Sequence, residues 1–89
     1  MDNKCKIVEI FWVDSVKCSD WSYVSDLNFQ VLDNMTIGYL IKETDEFVTV
    51  AQNIGRGFTP QVCNTMTIPR CAIKGIKVVG EMSKNYSDE

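Results

Sequence analysis

Apolar and polar positions alternate along much of this chain with period two, the spacing of strands rather than helices. From Lys6 to Asp14, KIVEIFWVD, the alternation sets Val8, Ile10 and Trp12 on one face and Ile7, Glu9, Phe11 and Val13 on the other. Both faces are largely apolar, so this first strand is expected to be buried on both, either across a barrel core or in a subunit interface. Asp14 and Ser15 break it, and Val16 to Asn34 reads as a long polar connection. Within that connection Trp21, Val24 and Leu27 recur every three residues, which predicts one short helical turn capped by Ser19 or Asp20. Phe29, Val31 and Leu32 suggest a brief extended piece before Asp33 and Asn34 turn the chain.

Alternation resumes at Met35 to Glu43, MTIGYLIKE, with Gly38 inside the strand marking a sharp bend or a close backbone approach. Thr44, Asp45 and Glu46 form a polar turn, and FVTVAQN supplies the paired strand. Asn53 to Cys63, with two glycines and a proline, reads as a loop. Asn64 to Ile68 is a further strand, ended by Pro69, which cannot donate to a ladder. Arg70 to Ile73 leaves room for one tight helical turn, after which Ile76 and Val78 restore strand alternation. Glu81 to Glu89 is polar and without pattern.

The order is a long strand, an irregular connection, a three-strand meander, a helical turn and a last strand. It predicts a mainly β protein, a small five-stranded SH3-like or Sm-like barrel over residues 1–80 with a polar tail at 81–89. An OB-fold would place a longer helix between its third and fourth strands, and the loop here is too short to hold one.

At 89 residues the core is small, and self-association would help to stabilise it, so a homo-oligomer is expected as readily as a monomer. No apolar run approaches the roughly 20 residues of a membrane-spanning helix, and the N-terminus lacks the apolar core and cleavage site of a signal peptide. A cytoplasmic location is expected. Cys5, Cys18, Cys63 and Cys71 form no C-x-x-C pair and histidine is absent, which argues against zinc and for reduced, partly buried thiols.

The net charge of −3 argues against a protein that tracks a nucleic-acid backbone. Yet no Asp or Glu lies between Phe47 and Gly80, where Arg56, Arg70, Lys74 and Lys77 all fall. That half of the chain can offer positive potential to a small anion, or it is a chance asymmetry of solvated lysines.

Histidine, the usual general base, is missing, and neither a nucleophile motif nor a phosphate loop is present, so the chain is not expected to be an enzyme and no cofactor is implied. Binding has better material. Trp21 stands in a polar segment where its ring is available to stack on a flat ligand, to plug a neighbouring subunit or to act as a lid on the barrel. Arg56, between Gly55 and Gly57, is placed to meet a phosphate, with a solvated loop arginine as the plainer alternative. Phe58 in the same loop must bury or bind. Arg70, held behind Pro69, is suited either to a diphosphate or to pairing with Asp14 at the end of the first strand. Trp12, in strand spacing with Val8 and Ile10, belongs to the core or an interface.

These features together resemble small tailed-phage accessory proteins. The residues that carry the likeness are W-x-D-S at Trp12 to Ser15, the following Trp21, T-x-G-x-L at Thr36 to Leu40, the acidic hairpin at Glu43 to Glu46, and I-P-R-x-x-I-x-x-I at Ile68 to Ile76. The segment from Phe29 to Asp33 departs from the pattern. The resemblance implies a non-catalytic phage protein in the host bacterial cytoplasm. Its implied role is a homo-oligomeric sponge for a nucleotide-derived immune signal, cyclic nucleotide or ADP-ribose-like, of the kind used by CBASS or Thoeris. Trp21, Arg56, Phe58, Arg70 and Asp14 would then line the ligand site, with no membrane and no nucleic acid involved. The rival reading is an SH3-like interaction module that binds and inhibits a host or phage protein.

Overall fold

A computed structural model describes residues 4–17, 19–27 and 29–83. Five strands make one antiparallel sheet: β1 (Lys4–Asp14), β2 (Leu32–Glu43), β3 (Phe47–Gly55), β4 (Gln61–Pro69) and β5 (Ile73–Ser83), in the order β4-β3-β2-β1-β5. Short 3-10 turns occupy Val24–Asp26 and Arg70–Ala72.

β1 lies inside the sheet, with β2 on one side and β5 on the other. Its even positions build the core: Val8 and Ile10 are buried with Val48 and Val50 of β3 and Ile68 of β4, and Trp12, Leu40, Ala72 and Ile73 pack around them. For side chains of β1 and β3 to touch, the sheet must roll across the strand between them. Gly38 of β2 permits this. It sits opposite Val8 in the ladder, and a Cβ built on it would stand 3.0 Å from both the Ala51 carbonyl oxygen and the Val50 Cβ. The chain therefore spends a glycine in mid-strand where close approach forbids a side chain.

The 3-10 turn behind Pro69 carries the chain from the β4 edge to the β5 edge, and Ala72 and Ile73 cover the core as it passes. Pro69 is the last residue of β4, as its missing N–H requires. Trp12 turns its indole inward and donates from Nε1 to Thr36 Oγ1 at 2.9 Å. No polar or charged residue is buried among the described residues, so the buried side chains pack chiefly by apolar contact.

The sheet does not close into a barrel, which corrects the architecture expected from sequence. A barrel needs every strand to hold two neighbours over a matched length. Here β2 and β3 are paired only between Tyr39–Glu43 and Val48–Ala51, with a register shift at Ile41. Beyond Ala51 the β3–β4 hairpin leaves β2 and continues as a two-stranded ribbon to Gly55 and Gln61. Asn64, with φ of 56°, takes a left-handed conformation on β4 where the two diverge. β4 and β5 remain the two open edges.

Strand limits also differ from the sequence reading. β2 begins at Leu32 because Leu32, Asp33 and Asn34 pair with Asp14, Val13 and Trp12, so turn-like residues are drawn into a ladder. β3 and β4 run to Gly55 and from Gln61, leaving only residues 56–60 as loop. β5 passes the expected domain limit at residue 80 and reaches Ser83; the rest of the predicted tail lies outside the described residues. The helical turn of the long connection is present at Val24–Asp26, but its N-cap is Tyr23, without a side-chain cap, in place of Ser19 or Asp20.

Candidate functional site

The hairpin turn between β2 and β3 fixes the first of the candidate residues. Thr44 folds the turn on itself, its Oγ1 accepting from the Glu46 and Phe47 amides at 3.1 Å each. The register that sets Phe47 against Pro69 brings Arg70 onto this turn. Its amide donates to the Glu46 carbonyl at 2.8 Å, its Nε to the Thr44 carbonyl at 2.9 Å, and its Nη2 to Glu43 Oε2 at 2.7 Å. Arg70 is thus a structural staple between the β4 end and the acidic hairpin. The carboxylate it pairs with is Glu43, not Asp14. Asp14 instead accepts from the Ser15 amide at 2.8 Å, closing the end of β1.

Trp21 and Phe58 behave in the opposite way. They are 102% and 101% exposed, so neither ring is covered by its own chain. Trp21 is no lid on the sheet. It belongs to an arm, residues 15–31, in which every described residue is exposed, including Tyr23, Val24, Leu27, Phe29 and Val31. Phe58 lies in the short loop at the tip of the β3–β4 ribbon, with the exposed Arg56 two residues before it.

Trp21 and Phe58 thus stand on separate projections of the described chain, and Arg70 and Asp14 are engaged in turns of the sheet. Among the described residues the hollow beside Trp21 is lined by Trp21, Ser22 and Tyr23. A second cleft, of 390 Å³, lies where the ribbon leaves β2, between Thr36, Ile37, Gln52, Asn64 and Met66. Neither is lined by a charged side chain among the described residues. Among the described residues no group of three His, Cys, Asp or Glu side chains is placed to hold a metal ion, and no helix is long and apolar enough to cross a membrane.

The sheet carries a further surface that sequence reasoning saw only in part. Beyond the register shift at Ile7 and Val8, Glu9 and Phe11 of β1 face away from the core. Phe11 sits between Met35 of β2 and Gly75 of β5, and Glu9 between Ile37 and Lys77. Phe11, Met35 and Ile37 are exposed, and a Cβ on Gly75 would meet nothing within 4 Å, so this outer face is apolar and uncovered. Lys74 reaches Asp33 at 3.2 Å across the end of the face, giving it a charged rim. The apolar second face of β1 was the signal in sequence; Met35 and Ile37 were legible only as half of an amphipathic strand.

No family model, curated protein or solved structure matches the chain.

Proposed function

We propose that the chain is a non-catalytic binding protein that works as an assembly of copies and sequesters a flat, anionic, nucleotide-derived molecule between them. The observation that carries this reading is the complete exposure of Trp21 and Phe58 on two separate projections of the fold. Aromatic rings held out from the core are platforms on which a base stacks, and each such stack is worth about 1–3 kcal/mol in known nucleotide-binding surfaces. Arg56 lies beside Phe58 in the acid-free half of the chain and supplies charge for a phosphate. Since neither projection forms a closed pocket alone, the ligand would lie between the arm of one copy and the ribbon tip of another. Arg70 and Asp14 take structural parts in this reading.

The test is a native mass spectrum of the purified full chain, followed by calorimetric titration with cyclic dinucleotides and with ADP-ribose derivatives. A multimer that retains a small molecule, and loses it on Trp21→Ala or Phe58→Ala, is the expected outcome. A chain that carries no ligand and binds none of these probes would sink the proposal.

A protein-binding module is the second reading, favoured by the apolar outer face around Phe11, Met35 and Ile37. It gains if a stable host protein is recovered with the chain, and if Met35→Glu releases it while no small molecule is bound.

A further inference from the structure

The arm of residues 15–31 starts and ends at the same place. Asp14 and Leu32 are direct partners in the β1–β2 ladder, so a two-residue turn would have joined the strands. The chain instead makes a long excursion rich in large apolar residues: Val16, Trp21, Tyr23, Val24, Leu27, Phe29 and Val31. These apolar side chains alternate with serines and other polar residues, and the stretch has no glycine, so it carries far more aromatic and branched apolar surface than a flexible Gly/Ser linker. Its last part, Leu27 to Val31, alternates apolar and polar residues as a half-buried strand does, yet its described residues join no ladder. Every described residue of the arm is exposed. The described chain measures 60 × 22 × 20 Å, with a radius of gyration of 17.4 Å against about 12 Å for a compact domain of this length.

We infer that the arm is an exchange element: it crosses to a second copy of the chain and lays Trp21, Tyr23 and Phe29 on the outer face that Phe11, Met35 and Ile37 leave uncovered. Two features of the molecule point to a second copy rather than another partner. First, arm and face adjoin on one protomer, since Phe11 and Met35 lie only three positions inside the Asp14–Leu32 pair from which the arm springs. A two-fold axis beside the face therefore sends each arm over its partner's face, a reciprocal and self-complementary arrangement. Second, the area suffices. Each buried aromatic side chain covers about 150–250 Å², so three from each arm bury on the order of 900–1,500 Å² before the covered face is counted. Stable specific interfaces bury about 1,200–2,000 Å² in all. The face also has the make-up of an interface: an apolar patch around Phe11, a hollow over Gly75, the Lys74–Asp33 pair at one end, and Glu9 beside Lys77 further along the sheet.

The inference rests on the proposed function only in that copies assemble, and its test reads assembly without any ligand. Light scattering and native mass spectrometry on the full chain across a concentration series should give a dimer or a higher even-numbered multimer. Trp21 emission should move to shorter wavelength as the multimer forms. The arm variant Trp21→Ser/Tyr23→Ser/Phe29→Ser and the face variant Met35→Glu should each reduce the mass to that of a monomer with the circular dichroism of the native sheet, because all four side chains are exposed in the protomer. Ile37→Lys, on the same face, gives a second reading should Met35→Glu disturb the sheet. A wild-type monomer at every concentration overturns the inference, as does a multimer that survives either class of variant. Assembly lost in both classes, with ligand titrations blank, would retain the exchange and remove the sequestering function.

Discussion

Replacing Gly38 by alanine tests the account of how the sheet rolls. The added Cβ would stand 3.0 Å from the Ala51 carbonyl oxygen and 3.0 Å from the Val50 Cβ, closer than carbon atoms ordinarily approach either. Neither neighbour is the free end of a flexible side chain. The oxygen belongs to the β3 backbone beside its Tyr39 pairing, and the Val50 Cβ is fixed by a buried side chain. Relief requires β2 and β3 to separate just where their short ladder begins. Forcing an extra carbon into such a site costs about 1–3 kcal/mol. The substitution also restricts the unfolded chain, which returns about 0.4–1 kcal/mol where the backbone suits alanine, and no glycine here has a positive φ. The net expectation is a loss of about 1–2 kcal/mol, or a fall in Tm of roughly 5–15 °C for a domain of this size. Urea and thermal unfolding at one fixed protein concentration measure it. Gly57→Ala is the control, because a Cβ there meets nothing within 4 Å, and it should be neutral or raise stability by up to about 1 kcal/mol. If Gly38→Ala proved as stable as Gly57→Ala, the close approach of β2 and β3 would not be what calls for glycine.

Ile10 is 0% exposed at the centre of the apolar core, so Ile10→Ala should cost about 2–5 kcal/mol and leave a large unfolded fraction in the same assay. Arg70→Ala should cost about 1 kcal/mol, mainly through its hydrogen bond to the Thr44 carbonyl; Glu43→Gln should cost less, since that ion pair is largely exposed and worth only about 0.2–1 kcal/mol. The Arg70→Ala loss should also persist in high salt, which screens the Glu43 pair but not the carbonyl bond. Mass-spectrometric mapping of thiol alkylation should find Cys63 and Cys71 labelled in the native protein and Cys5, 3% exposed, labelled only as the sheet unfolds.

The strands were legible wherever alternation coincided with burial. Val8, Ile10 and Trp12 announced the inner face of β1, and Val48 and Val50 that of β3. The largely exposed Asn64 to Ile68 was still legible from its β-rich run, but the ladder before it was not. Ile54 pairs with Val62 and Gly55 with Gln61 in a ribbon whose glycines, polar residues and proline read as loop. Gly38 was read as a sharp bend or a close backbone approach, and the structure shows the approach. Openness was not legible, because closing a sheet depends on whether two edges distant in sequence meet, and no local pattern encodes that. Arg70 was placed correctly at a rigid strand end, but its partner follows from hairpin register. Counting from the Phe47–Pro69 pair would have pointed to Glu43 to Glu46 instead of Asp14. Of the candidate site, Trp21 and Phe58 were found as aromatics in irregular segments. Tyr23 and Phe29 were passed over as parts of a turn and a short strand.

The two open edges are unlike each other. β5 carries Lys74, Lys77 and Glu81 and shifts register twice against β1, and such an edge repels a stray strand. β4 has no charge from Gln61 to Pro69 and is exposed over nearly its whole length. Its protection is geometric. The left-handed Asn64 cuts the edge into Gln61–Cys63 and Thr65–Ile68, and each piece is shorter than the six or seven residues with which stacked strands begin to lock together. One residue's backbone angle thereby does for β4 what lysines do for β5, guarding a newly made chain against fibrous association with its neighbours.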